Sequence, residues 1–130
     1  NNGKTWIMEN NYKTGEEIQK KWKTLANRNN LKIQISGIPA LSSFSIISND
    51  WLKYKTFITQ EMLKKNFLAT NAIFVSVKHD KKILNRYFDI LDGIFKKISD
   101  FENKYKLIDE YLDGPVCHSK FERLNWLLWN

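Results

Sequence analysis

The side chains most often used for metal binding or nucleophilic attack are scarce in this 130-residue sequence, which has two histidines, His79 and His118, and one cysteine, Cys117. A zinc site needs three or four converging ligands, and no metal is expected. Cys117 and His118 are neighbours, so in extended chain they point to opposite sides and cannot pair as nucleophile and base. Nothing around Cys117 would stabilise a thiolate, and it reads as a packed cysteine. His79 closes an apolar run and precedes a helical one, where an imidazole either helps cap the helix or faces a cleft. Ser42, Ser43, Thr70 and Ser76 lie at strand ends and read as structural first, substrate-facing second. The carboxylate pairs Glu16-Glu17 and Asp109-Glu110 sit in polar stretches and read as solvated.

The elements that must position these groups follow from periodicity. Ile18, Trp22 and Leu25 are spaced for one face of a first helix ending at Asn29-Asn30. Thr14-Gly15-Glu16-Glu17 has capping-box spacing, so the helix either restarts there or runs unbroken from about Thr5 and absorbs Gly15 at a cost of roughly 1 kcal/mol. Residues 31–35 alternate apolar and polar, Gly37-Ile38-Pro39 turns the chain, and residues 41–47 alternate again, Phe44 and Ile46 against Ser43 and Ser45. Ser48-Asn49-Asp50 supplies helix-capping chemistry. Trp51, Tyr54, Ile58 and Met62 then recur at helical intervals up to Asn66.

Residues 67–69 and 72–77 have the pattern of a hairpin turning at Thr70-Asn71, because Asn tolerates the positive φ of a tight reversal. The second of these runs is apolar on both faces and is expected to be the central strand. Asp80 opens a long helix with the stripe Ile83, Leu84, Tyr87, Leu91, Ile94, Ile98 and Phe101. Gly93 within it suggests that another backbone packs close. Gly114-Pro115 breaks the tail before a short amphipathic end. The order predicts an α+β two-layer sandwich in one domain spanning 1–130, with a small, mostly antiparallel sheet covered by helices.

The formal net charge is +7, from 21 basic and 14 acidic residues, which invites a nucleic-acid reading. Only three of the cations are arginines, and the lysines fall in dispersed pairs such as Lys20-Lys21 and Lys96-Lys97. That distribution matches solvated helix faces, so nucleic acid is not the expected partner. A lone cysteine favours a reducing compartment. No apolar run approaches the roughly 20 residues needed to span a bilayer, and NNGKTWIMENN lacks the apolar centre of a signal peptide, so a cytoplasmic protein without a membrane role is expected.

Three blocks, Ser36 to Ile46 (SGIPALSSFSI), Thr59 to Asp80 (TQEMLKKNFLATNAIFVSVKHD) and Gly114 to Asn125 (GPVCHSKFERLN), resemble the carboxy-terminal domain of class III pyridoxal-phosphate aminotransferases. The nearest branch is that of the glutamate-1-semialdehyde aminomutase-like enzymes, including the spore-coat and sugar-modifying aminotransferases. The match runs over nearly the whole chain, from Trp6 and the 15–31 helix to the Gly114-Pro115-Val116-Cys117-His118 tail. The resemblance implies the small domain of a fold type I pyridoxal-phosphate transferase, a carboxy-terminal piece of a larger cytoplasmic enzyme. Its covalent lysine, pyridinium carboxylate and phosphate donors belong to a large domain upstream, which also makes most of a homodimer. No catalytic or cofactor-binding residue is therefore expected here, and alone the chain is expected to be inert.

By the same resemblance the residues nearest the substrate are Ser42, Ser43, Phe44, Thr70, Asn71 and His79. Two departures shape the expected activity. Phe74 stands about where many class III aminotransferases place an arginine for a substrate carboxylate. The true aminomutases also have a longer, glutamate-bearing segment where Thr70-Asn71 stands here. Amino transfer to another carbonyl compound is thus favoured over aminomutase activity proper. The alternative from a different class is a free-standing basic binding module for nucleic acid or an acidic partner, with the five tryptophans stacking bases.

Overall fold

The computed structural model describes the backbone of residues 2–68, 71–74 and 81–116, and the side chains of 14–68, 71 and 81–116. In chain order the elements are α1 (Asn2–Arg28), β1 (Ile33–Ile38), β2 (Leu41–Ile46), α2 (Trp51–Lys64), β3 (Ala72–Phe74) and α3 (Lys81–Glu102), followed by a 3-10 turn at Ile108–Glu110. The chain is an α+β structure in which three helices cover one face of a three-stranded antiparallel sheet of order β1-β2-β3.

The first hairpin follows from its sequence. Pro39-Ala40 forms the two-residue turn, with Ile38 opposite Leu41 and Ile33 opposite Ile46. That register puts Ser42, Phe44 and Ile46 on the helix side, all buried, and Ser43 and Ser45 on the other. β1 begins at Ile33 rather than Leu31, because Leu31 is consumed in ending α1. Its amide bonds the Ala26 carbonyl at 2.8 Å, and Asn30 takes a left-handed φ of 58°. The other two helices close alike: Phe67 N–H to the Met62 carbonyl with Asn66 left-handed, and Tyr105 N–H to the Asp100 carbonyl with Lys104 left-handed.

The expected second hairpin is corrected by this closure. Phe67 spends its amide on α2, and its ring packs on Tyr87 at 6.5 Å, so 67–68 form no strand. β3 pairs instead with β2, Leu41 opposite Phe74, and Asn71 binds Phe44 at both ends of its own residue. The central strand is therefore β2, and among the described residues β3 lies beside β2 alone. The capping expectation at 48–50 is also revised. Asp50 occupies the cap position without a side-chain cap bond, while the Ser48 hydroxyl accepts the Asp50 amide at 3.1 Å.

One core joins the layers. Tyr87, Leu91, Ile94, Phe95, Ile98 and Phe101 of α3 are buried against Ile18, Trp22 and Leu25 of α1 and Tyr54, Phe57, Ile58 and Met62 of α2. Within it the Trp22 indole donates to the Tyr87 hydroxyl at 3.1 Å. The Ile83 end of the α3 stripe is exposed.

The two helical glycines differ in what surrounds them. α1 runs unbroken through Gly15, where a Cβ would lie 1.9 Å from the Pro39 carbonyl oxygen, so the hairpin tip rests on that helix. A Cβ on Gly93 would meet nothing within 4 Å among the described residues, so none of them supplies the close backbone expected there. Gly15→Ala is expected to destabilise the chain by roughly 1–3 kcal/mol despite its better helix propensity, as overpacking does. Gly93→Ala should gain about 0.5–1 kcal/mol. Urea midpoints of the two variants test the pair, and equal shifts of one sign would contradict the Gly15–Pro39 contact.

Candidate functional site

The residues singled out by sequence divide across β2. Ser42 points inward and is 1% exposed; its hydroxyl accepts the Gln19 amide at 2.7 Å and donates back to the hairpin carbonyl of Ile38 at 3.0 Å, with the Pro39 carbonyl at 3.1 Å. Phe44 also points inward, into the core. Ser43 is half-buried on the opposite face, beside Ser36, its partner across the hairpin. Asn71 stands at the start of β3 and donates from its side-chain amide to the Phe44 carbonyl at 2.8 Å. The structure thus brings Ser42, Phe44 and Asn71 together as a brace for the central strand and leaves Ser43 facing outward. Thr70 and His79, with Ser76, Cys117 and His118, lie outside the described residues.

The outward face of the first hairpin is unlike the helix-covered one. Its side chains are small and polar (Gln34, Ser36, Ser43, Ser45), and it ends at the hairpin tip in two exposed apolar residues, Ile38 and Leu41. Exposed apolar groups at the rim of a small, hydroxylated surface suit contact with another folded body more than with water. The face presents hydroxyl donors and acceptors and no ionic group among Ser36, Ser43 and Ser45.

Sequence reasoning missed a second polar grouping. The turn between β2 and α2 meets the end of α3 around an open depression of about 550 Å³ lined by Ile47, Ser48, Asn49, Asp50, Glu102 and Lys104. The Glu102 carboxylate accepts the buried Tyr54 hydroxyl and the Ser48 hydroxyl, the latter at 2.9 Å, on the same oxygen, Oε2. Because Ser48 also accepts the Asp50 amide, its hydroxyl is committed to the start of α2 and is not a poised nucleophile. No local pattern could reveal this set, since Tyr54 and Glu102 are 48 residues apart.

Covalent cofactor chemistry needs an ammonium whose pKa is pushed down by burial or neighbouring cations. Lys53 and Lys64 move the other way. Lys53 is raised by its hydrogen bond to Asp109, and Lys64 by those to Glu61 and Asp113. Lys53 and Lys55 are half-buried, and the other described lysines are exposed. Among the described residues no group of three or more His, Cys, Asp or Glu is placed to hold a metal, and no helix is long and apolar enough to cross a membrane. No family model matches the chain, and neither a curated protein nor a solved structure shows significant similarity to it.

Burial, then the hydrogen bond to Glu102, pushes the Tyr54 hydroxyl well above the usual tyrosine range, and burial does the same for Tyr87. A folded-state pKa above the unfolded one gives stability that is complete below about pH 10 and lost as pH climbs beyond it. Tyr54→Phe should cost about 1–3 kcal/mol at neutral pH, the range for a hydrogen bond to a charged group, and should flatten the alkaline decline. Denaturant unfolding from pH 7 to pH 11 measures both, and an unchanged alkaline slope would sink the assignment to Tyr54.

Proposed function

We propose that the chain is the carboxy-terminal, substrate-shaping domain of a pyridoxal-phosphate-dependent aminotransferase, of the glutamate-1-semialdehyde aminomutase-like kind, that moves an amino group to a carbonyl compound. In this reading it is the small domain of a fold type I transferase. The lysine and the cofactor's other partners belong to a large domain, which also forms the homodimer of a cytoplasmic enzyme. Pyridoxal phosphate held there supplies an electron sink for breaking bonds at the amino-bearing carbon.

The observation that carries the reading is the sheet, which the described helices cover on one face. Three helices cover one face, while the first hairpin's outer face is small and hydroxylated and ends in exposed Ile38 and Leu41. A domain built to seat on a larger body needs such a face. The blocks that resemble the family lie along it: residues 38–44 make the hairpin and 72–74 make β3. In this reading Ser43, on the outward face of β2, would reach the substrate, and Thr70, Asn71 and His79 are the other residues proposed to face it. Ser42 and Phe44 would act from beneath, by fixing the strand on which Ser43 stands.

The ion pairs favour this reading over a free-standing nucleic-acid module. Arg28 and Lys96 are both tied to Asp92, Lys64 and Lys97 both to Glu61, Lys53 to Asp109 and Lys106 to Asp100. Cations engaged that way give a weaker phosphate-binding surface than a free basic stripe would.

Titration of the isolated chain with pyridoxal phosphate is expected to give no stoichiometric visible band. Expression together with the upstream reading frame should give one, along with amino-transfer activity. A stoichiometric, borohydride-reducible adduct on this chain alone would refute the proposal, as would an upstream frame encoding no lysine-bearing, glycine-rich domain.

A further inference from the structure

Beyond α3 the chain turns back and lies along α2. Lys104 takes the left-handed conformation at the turn, Ile108 is buried, Leu112 packs on the core, and the Tyr111 ring meets Phe101 at 5.3 Å. One side chain of α2 binds the backbone of this segment at two points. The Gln60 amide donates through Nε2 to the Tyr111 carbonyl at 2.7 Å, and its Oε1 accepts the Asp113 amide at 2.7 Å. A carbonyl and an amide two residues apart are the groups a neighbouring strand would bind, and Gln60 supplies both partners from a helix.

The remaining polar ties, Lys53 to Asp109 at 2.9 Å and Lys64 to Asp113 at 3.1 Å, are ion pairs at the surface and are weak. The segment thus has one fully buried side chain and an exposed approach at 103–107, whereas α3 buries seven side chains. That contrast is the mark of a unit that opens locally before the core does.

We propose that residues 107–113 form a strap that opens from α2 and closes on it as one unit, with Gln60 as its latch. Gln60 is a positioning residue in this scheme. The hinge lies at 103–106, where Lys104 holds the turn and Lys106 pairs loosely with Asp100 at 3.8 Å.

Hydrogen exchange under native conditions tests the strap with Gln60→Met, which keeps the side-chain length and removes both bonds. The Asp113 amide is expected to exchange at least about tenfold faster, with trypsin cutting faster after Lys104 and Lys106, while the Phe95 and Ile98 amides keep their native rates. Unchanged exchange at Asp113 would overturn the latch. Exchange at Asp113 that rises in step with Phe95 and Ile98 would overturn the strap as a separate unit. Gln60→Glu, which replaces the donor to Tyr111 with a charge beside Glu61, gives the same readouts should Gln60→Met not fold.

Discussion

Phe44 sits where every layer of the molecule meets. Its ring lies edge-on to Trp22 of α1 at 5.0 Å, near Trp51 at the start of α2 at 6.1 Å, and perpendicular to Phe95 of α3 at 5.5 Å. Its backbone N–H and carbonyl both bond Asn71, and Ile35 of β1 stands opposite it. One residue on the central strand therefore sets the distance of three helices from the sheet. Everything on the helix face of β2 serves that packing, Ser42 included, because a hydroxyl that reaches Gln19 and the hairpin carbonyls fills a site where a free polar group would be costly. Ser43 and Ser45 lie on the opposite face of the strand.

That division was partly legible. Alternation in residues 41–47 placed Phe44 and Ile46 opposite Ser43 and Ser45, and the same parity puts Ser42 with Phe44, so three consecutive residues of one strand could not share a face. The α3 stripe was legible because six turns of one period leave little choice; Phe88 and Phe95 widen it to the broader face that a helix needs when it meets two others. The second hairpin was misread for a local reason. Asn66 and Asn71 both tolerate reversal, and the chain uses Asn66 to end α2. Phe67 then follows the helix end instead of starting a strand. Composition could not choose between the two asparagines, because the choice depends on Phe67 packing on Tyr87. The Gly15 contact was hidden in the same way, since the carbonyl that excludes a side chain there belongs to Pro39, 24 positions on. The Tyr54–Glu102 pair and the Gln60 latch are products of tertiary packing alone.

The acidic residues show how a basic chain stays folded. Asp92 on α3 takes the Asn29 amide at 2.9 Å and pairs with Arg28 at the end of α1, and Glu61 on α2 reaches Lys97 on α3. Loss of solvent would raise each carboxyl. For Asp92 the Asn29 amide with Lys96 and Arg28 outweighs that loss, and for Glu61 the Gln60 amide with Lys64 and Lys97 does, so both are held below the usual carboxylate range. The stability they contribute is present above the unfolded carboxylate pKa and fades as pH falls through the folded one. Both acids stand where two helices meet and draw cations from each, so the attraction acts between elements that the core already holds close. Most of the described lysines are exposed to water, where repulsion between cations more than about 10 Å apart is largely screened at ordinary salt. The excess of positive charge is thus compatible with a core built around Phe44, and the anions that matter for folding are the few at the helix junctions.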